Sequence, residues 1–301
     1  MFISRSDPVV SIVIPCYNYG RFLREAVDSA IKQTYSSIEI IVMDDGSTDE
    51  TPEVAASYGN RIRYFWNPNQ GVYTTRQASL NIVRGQYFLN LDADNKLHPE
   101  FVARSLNRLM NIKKDDRCAF VYTQRKYFGE AEGYSQFPSY DSALLKIKNY
   151  IDMGSLIRTD IVRCFGFDPA FNDGYGDYDF FLTLAEHGYY GVLLDEPLLF
   201  YRIHTSSITH SVNTSYRQVE IIKRLLNKHK GMYTHVERRQ ALRTARERVL
   251  LAIINNQQPG RTFSKRLGDF VQIFGTPAGP AQLWEQAKYT IAPFFKESPK
   301  R

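Results

Sequence analysis

Short apolar runs alternate with amphipathic stretches over the first hundred residues. VVSIVIP (9–15) is continuous and β-branched, which predicts a strand buried on both faces of a parallel sheet. RFLREAVDSAIKQ (21–33) places Phe22, Leu23, Ala26, Val27, Ala30 and Ile31 at helical spacing. IEIIVMD (38–44) reads as a second buried strand, and Gly46 to Asp49 follow it as a turn whose polar side chains can cap the next helix. RIRYFWN (61–67) predicts a third strand, TTRQASLNIVRG (74–85) a helix closed by Gly85, and QYFLNLD (86–92) a fourth strand. This rhythm predicts an α/β fold, a Rossmann-like and mostly parallel sheet flanked by helices.

In such sheets the ligand crevice lies beyond the carboxyl ends of the strands. Three stretches of polar chemistry fall there: Pro15 to Asn18, Asp44 with Asp45, and Asp92 to Asp94. Asp92 and Asp94 are one residue apart, a spacing that lets two carboxylates converge on one hard divalent cation such as Mg²⁺ or Mn²⁺, with open positions for phosphate. Strand-end aspartates also cap helices and make turns, so the pair alone does not decide. GxGxxG is absent after the first strand and GxxxxGK[ST] is absent altogether, which excludes dinucleotide-binding and P-loop fingerprints.

Composition adds a little. Hydrophobic residues make up 43% of 301 and aromatics 14%, enough for a large core and for aromatic-lined clefts suited to sugars and bases. A net charge of +6 favours acidic partners such as nucleotides, phosphorylated substrates or anionic membrane. Cys16, Cys118 and Cys164 form no CxxC pair and predict reduced structural thiols. MFISRSDPVVSIVIP lacks a leader-like apolar region and no run of 18 apolar residues exists, so a cytoplasmic chain is expected.

Taken together, VSIVIPCYN, VMDDGSTDET, NQGVYTTRQASL and LDADN with HPEF after it resemble the family 2 glycosyltransferases of the GT-A fold. GDYDFFLTLAEHGY (176–189) and YRIHTSSIT (201–209) extend the resemblance to about residue 210. It implies transfer of a sugar from a nucleotide-diphosphate donor, with a divalent metal and inversion at the anomeric carbon. It also implies that Pro15, Tyr17, Asn18, Asp45, Arg76, Asp92 and Ala93 meet the donor, with Asp45 on the base ring N–H and the Tyr17 ring against the base. Asp44 suits the turn before Gly46 better. Arg76 has the plainer reading of a surface ion pair.

Asp94 matches the family's metal carboxylate. His204 would ligate the metal or meet the leaving phosphate, with Arg202 neutralising the diphosphate beside it. The family usually has a further Asp where this chain has Asn95, which keeps an oxygen ligand or hydrogen-bond partner but drops a charge. Asp177 aligns with the catalytic base, after a lead-in whose Gly174 and Gly176 let backbone approach a ligand. Asp179 reads as a first-turn helix carboxylate, and Gly188 closes that helix. His98 and His187 read as structural.

Beyond about residue 212 the rhythm stops, predicting a GT-A domain over 1–212 and a helical, basic region over 213–301. Helices are expected at 215–230 and 235–256, and two aromatic, mildly basic segments at 261–275 and 281–296. Ten Lys or Arg against three acidic residues between Arg217 and Arg248 make either a solvated face or a surface drawn to an anionic bilayer or lipid-linked acceptor. The expected partners are a nucleotide-diphospho-sugar, UDP- or dTDP-linked, and a glycan or lipid-linked acceptor, with no nucleic acid. A metal-dependent nucleotidyltransferase and a non-catalytic nucleotide-sugar-binding module are the alternatives. Residues 120–175 carry no legible motif.

Overall fold

The structure, a computed structural model, describes residues 7–112, 115–204 and 217–255. Its first half runs β1 (Val10–Cys16), α1 (Gly20–Ile31), β2 (Ile38–Asp44), α2 (Thr51–Ala56), β3 (Arg63–Trp66), α3 (Val72–Ser79), β4 (Tyr87–Asn90), β5 (Lys96–Leu97) and α4 (Phe101–Met110). Then come β6 (Cys118–Gly129), β7 (Gly133–Tyr134), α5 (Ser142–Ile147), β8 (Leu156–Arg158), α6 (Thr159–Phe165), α7 (Gly176–Glu186) and β9 (Tyr190–Ile203). Two helices follow, which we number α8 (Arg217–Lys228) and α9 (His235–Asn255).

One sheet orders the strands β3-β2-β1-β4-β8-β6-β9-β5, with β7 paired to β6. β1 pairs with β2 and β4, and β2 with β3, all parallel. Only parallel pairing is found among these four strands, and the rest of the sheet is mixed. β8 enters antiparallel between β4 and β6, β5 antiparallel against β9, and the long β6–β9 ribbon is again parallel.

β1 shows why its run is unbroken by polar positions. Val10, Ile12 and Ile14 face a core built with Leu23, Ala26, Val27 and Ala30 of α1 and Phe101 and Val102 of α4. Val13 faces the other side, into a core with Tyr73 of α3, Ile161 of α6 and Phe180 and Phe181 of α7. Period-2 alternation with apolar residues on both faces is what a central strand needs when helices cover each face.

Two expectations are corrected here. The helix expected over 74–85 ends at Ser79, and its last residues tighten into turns in which Leu80, Asn81 and Ile82 amides reach back three residues. Gly85 is therefore no helix cap. A side chain there would come within 2.6 Å of the Val9 carbonyl and 2.7 Å of Ser11, so glycine lets the chain lie against β1.

The two C-terminal helices stand close to where periodicity placed them. α8 does not hang free: Ile221 and Leu225 join the same core as Phe180 and Phe181. The expected boundary near residue 212 and the segments 261–275 and 281–296 lie outside the described residues. Among the described residues no helix is long and apolar enough to cross a membrane.

Candidate active site

The carboxyl ends of β1, β2 and β4 open into a cavity of about 1080 Å³. Pro15, Tyr17, Asn18, Asp45, Arg76, Asp92, Ala93, Asp94 and Asp177 all line it, so nine of the ten residues proposed from sequence meet in one place. The tenth, His204, sits directly behind Asp94.

β2 delivers its two aspartates to different tasks. Asp44 is fully buried and accepts the Ser47 amide at 2.8 Å and the Tyr64 hydroxyl at 2.5 Å, which is the turn-forming role expected of it. Asp45 turns to the cavity and accepts the amides of Gln70 and Gly71 at 2.8 and 2.9 Å. These bonds fix the loop before α3 and use one lone pair on each oxygen, leaving capacity for a ligand N–H. Asn18 adopts a left-handed backbone with φ of 53°, which Asn tolerates, and clamps the first two strand-end loops together. Its amide donates to Ser47 Oγ at 2.9 Å and its Oδ1 accepts the Thr48 amide at 2.8 Å. Tyr17 beside it stands 49% exposed at the rim.

Arg76 is buried and pairs with the half-buried Asp92, a correction to the plainer surface reading. Its Nε donates to Asn90 Oδ1 at 2.9 Å, its Nη2 to Asp92 Oδ1 at 2.6 Å, and the guanidinium lies 4.7 Å from the Tyr73 ring centre. Asn90 Nδ2 also donates to Asp92 Oδ1, so that carboxylate is held rigidly toward the cavity.

Asp94 Oδ2 lies 2.9 Å from His204 Nε2, and the imidazole is buried against the rings of Tyr19 and Phe22. Burial, then the charge of Asp92, pushes the Asp94 carboxyl above the usual carboxylate range, with His204 pulling the other way. A divalent cation would relieve that strain, and the donor set fits one. Asp94 and His204 share a hydrogen bond at 2.9 Å, so a cation held by both would take the place of the proton between them. Among the described residues no three His, Cys, Asp or Glu side chains form a closed cage. Mg²⁺ sites usually complete their shell with water and substrate phosphate rather than protein.

The neighbours of this pair are structural. Asn95 is buried with its Oδ1 on the Arg202 amide at 2.9 Å, so it serves as a hydrogen-bond partner rather than a ligand. Arg202 is a correction. Its Nε donates to the Asp94 carbonyl at 2.9 Å and its Nη2 to Glu25 at 2.8 Å, between the rings of Phe22 and Phe128 and away from the cavity lining. His98 and His187 are structural as read, bonded to the Glu100 amide and the Thr183 carbonyl.

Across the cavity, α7 carries Asp177 in its first turn. Its Oδ1 accepts the Tyr178 amide at 2.8 Å and its Oδ2 accepts Asn149 Nδ2 at 3.2 Å. Burial, then the charge of Asp152, raises this carboxyl above its ordinary value, the direction that suits a proton acceptor working near neutral pH. Gly176 is glycine for a different reason than expected. A side chain there would come within 2.6 Å of the Tyr73 ring, whose hydroxyl accepts the Asp177 amide at 3.0 Å, so the close approach is to protein and not to ligand. Asp179 is also more than a first-turn charge. It is 2% exposed and bonds His229 Nε2 at 3.0 Å and Lys228 Nζ at 2.8 Å, tying α8 to α7.

The cavity's second wall comes from residues that carried no motif. Arg125, Asn149 and Asp152 line it beside Asp177, with Gln218 and Ile222 of α8 and Ala241 of α9. A charged residue inside the run AFVYTQRKYF was the one available signal for Arg125.

Residues 11–172, just over half of the 301, match the sequence model of "Glycosyl transferase family 2". The chain belongs to glycosyltransferase family 2. It is 32% identical to a hyaluronan synthase of Pasteurella multocida over 228 residues, covering 72% of this chain and 22% of that protein. An uncharacterized glycosyltransferase of Rickettsia typhi is 35% identical over 158 residues, 52% of this chain and 49% of the relative. The family 2 chain thus spans about half or less of the length of these curated relatives. Among solved structures it resembles S. aureus TarS 1-349 in complex with UDP-GlcNAc, with a TM-score of 0.64 at 16% identity over 88% of this chain and 81% of that one. The mannosyltransferase PcManGT of Pyrobaculum calidifontis, in complex with GDP-Man and Mn2+, gives a TM-score of 0.58 at 14% identity over 97% and 82%. At these identities the likeness establishes the GT-A fold.

Proposed function

We propose that this family 2 chain is an inverting glycosyltransferase that moves a sugar from a UDP- or dTDP-linked donor to an acceptor hydroxyl. The observation that carries the reading is one cavity with Asp45, Arg76, Asp92 and Asp94 on one wall and a buried, proton-seeking Asp177 on the other. The donor lies along the strand ends, its base N–H on Asp45 and its ring against Tyr17. The acceptor hydroxyl approaches from the Asp177 side. Its oxygen attacks the anomeric carbon from the face opposite the diphosphate, Asp177 takes the hydroxyl proton, and the bond to the phosphate oxygen breaks with its electron pair leaving on the nucleotide. Asp94 and His204 are the residues that would hold a Mn²⁺ or Mg²⁺ ion, which when bound neutralises charge on the departing diphosphate.

The product belongs to polysaccharide, glycolipid or cell-surface glycan synthesis under this reading, with the chain in the cytoplasm. Burial pushes the Cys16 thiol up to about 12, as in an inert structural cysteine. A peripheral membrane contact would rest on the exposed cations of α8 and α9. Arg224 and Lys228 are committed elsewhere, paired with Asp173 and with Asp168 and Asp179.

Calorimetric titration of the full chain with UDP tests the donor wall. UDP should bind more tightly with Mn²⁺ than without, and Asp94→Ala should erase the difference. Equal, metal-independent binding in both proteins would contradict the metal assignment. A nucleotidyltransferase would instead release pyrophosphate from a nucleoside triphosphate, and a binding module would bind donor yet show no turnover.

A further inference from the structure

Residues 148–153, between α5 and β8, form a loop that meets Asp177. Asn149 Nδ2 meets Asp177 Oδ2 at 3.2 Å. With Asp177 ionised the amide must present its Nδ2 to it, and Asn149 Oδ1 is then left buried with no partner among the described residues. Three residues on, Asp152 is buried, with Oδ1 on the Gly154 amide at 2.6 Å and Oδ2 paired to Arg125 Nη2. The Arg125 guanidinium lies 4.9 Å from the Phe137 ring centre and 4.6 Å from that of Tyr201, so its place is set by packing on both rings. The charged and titratable groups around Asp177 are Asp152 on this loop, Arg125 on β6, and Arg76 and Tyr73 on α3.

We propose that Asn149 and the Arg125–Asp152 pair are positioning residues for Asp177: the amide holds its carboxylate in the reacting orientation, and the ion pair sets the charge around it. The inference rests on Asp177 being the base and adds what controls it. The two parts act in opposite senses. The Asn149 N–H favours the charged carboxylate, whereas the Asp152 charge opposes it. Losing the amide therefore raises the proton affinity of Asp177, and neutralising Asp152 lowers it. A structural role alone has no reason to move one observable in two directions.

The test is the carboxyl titration of Asp177 by ¹³C NMR in the full chain with UDP and Mg²⁺, assigned by the signal lost in Asp177→Asn. Asn149→Ala should move the titration to higher pH by roughly half to one unit, the worth of one hydrogen bond. Asn149→Asp should move it further the same way, and Asp152→Asn should move it to lower pH. The acid limb of UDP-glucose hydrolysis, with water as acceptor, should follow each shift. If Asp152→Asn does not fold, the Asn149 pair still decides. Titrations that coincide with wild type, or Asn149→Ala and Asp152→Asn moving together, would overturn the inference. Wild-type hydrolysis that survives Asp177→Asn unchanged would overturn the base reading beneath it, which is a separate result.

Discussion

The two walls of the cavity are built by different physics. The donor wall stands on short parallel strands, and its chemistry sits where each strand stops. Asp44 bonds the amide three residues on, and Asn18 and Asp45 hold loops that neighbour them across one strand pair. The acceptor wall is assembled over long chain separations. There docked helices rather than strand ends set the geometry: Asp179 of α7 meets His229 just after α8, and Lys146 of α5 meets Glu237 of α9, across gaps of 50 and 91 residues. A wall set by strand ends is rigid and tolerant of what happens downstream. A wall set by docking depends on α8 staying in place, so the same substitution chemistry should act differently on each.

The largest contrast should come from two carboxylates on one helix. Asp177→Asn should cut turnover by about 10²–10⁴-fold, the usual worth of general-base catalysis, while UDP affinity stays within about twofold. It should not destabilise the fold. The folded-state pKa of Asp177 lies above its unfolded value, so ionising it costs stability as pH rises past the ordinary carboxylate range, and a neutral side chain removes that cost. A melting temperature at pH 7 equal to or above wild type is expected, and a marked drop would count against this electrostatic picture.

Asp179→Ala should do the reverse. It removes the buried acceptor of His229 and one partner of Lys228 and should cost on the order of 2 kcal/mol in urea unfolding, because a buried donor left without its acceptor is expensive. Turnover per folded molecule should fall less than in Asp177→Asn. If Asp179 proves the more damaging in turnover at matched folding, the base is misassigned. Truncation after residue 212 sharpens the comparison further. Because Ile221 and Leu225 complete a core shared with α7, the shortened chain should lose cooperative unfolding rather than behave as a free donor domain.

The smallest effect concerns the surface of the C-terminal helices. Arg217, Lys230 and Arg239 are exposed and, among the described residues, make no ion pair of the kind that holds Arg224 and Lys228. Each would add up to about 1 kcal/mol near an anionic bilayer, so Lys230→Glu or Arg239→Glu should weaken binding to phosphatidylserine vesicles by about fivefold, and molar salt should abolish it. Vesicles that fail to bind wild type at low salt would leave a solvated face.

What could be read in advance follows the same division. Apolar runs and helical spacing located β1, β2, α1 and the two C-terminal helices, because burial on both faces of a strand or one face of a helix is a local, periodic property. The place of Asp45, Asp92 and Asp94 on the cavity was legible because the crevice of an open sheet lies beyond its strand ends. Gly85 and Gly176 misled because glycine marks close approach without saying to what, and here the partners are Val9 and Tyr73. Arg202 misled because Glu25, 177 residues away, had no visible claim on it. Arg125, Asn149 and Asp152 were illegible for the same reason: their meaning lies in tertiary contacts across an irregular stretch.

The central claim is that both walls act on one bond, with attack from the Asp177 side. The most direct measurement is ¹H NMR of the sugar first released when the full chain hydrolyses UDP-α-glucose with Mg²⁺, run beside Asp177→Asn. Inversion predicts the β-anomer appearing first, with the rate falling at least about 10²-fold in the variant. The α-anomer appearing first, or equal rates in the two proteins, would contradict it.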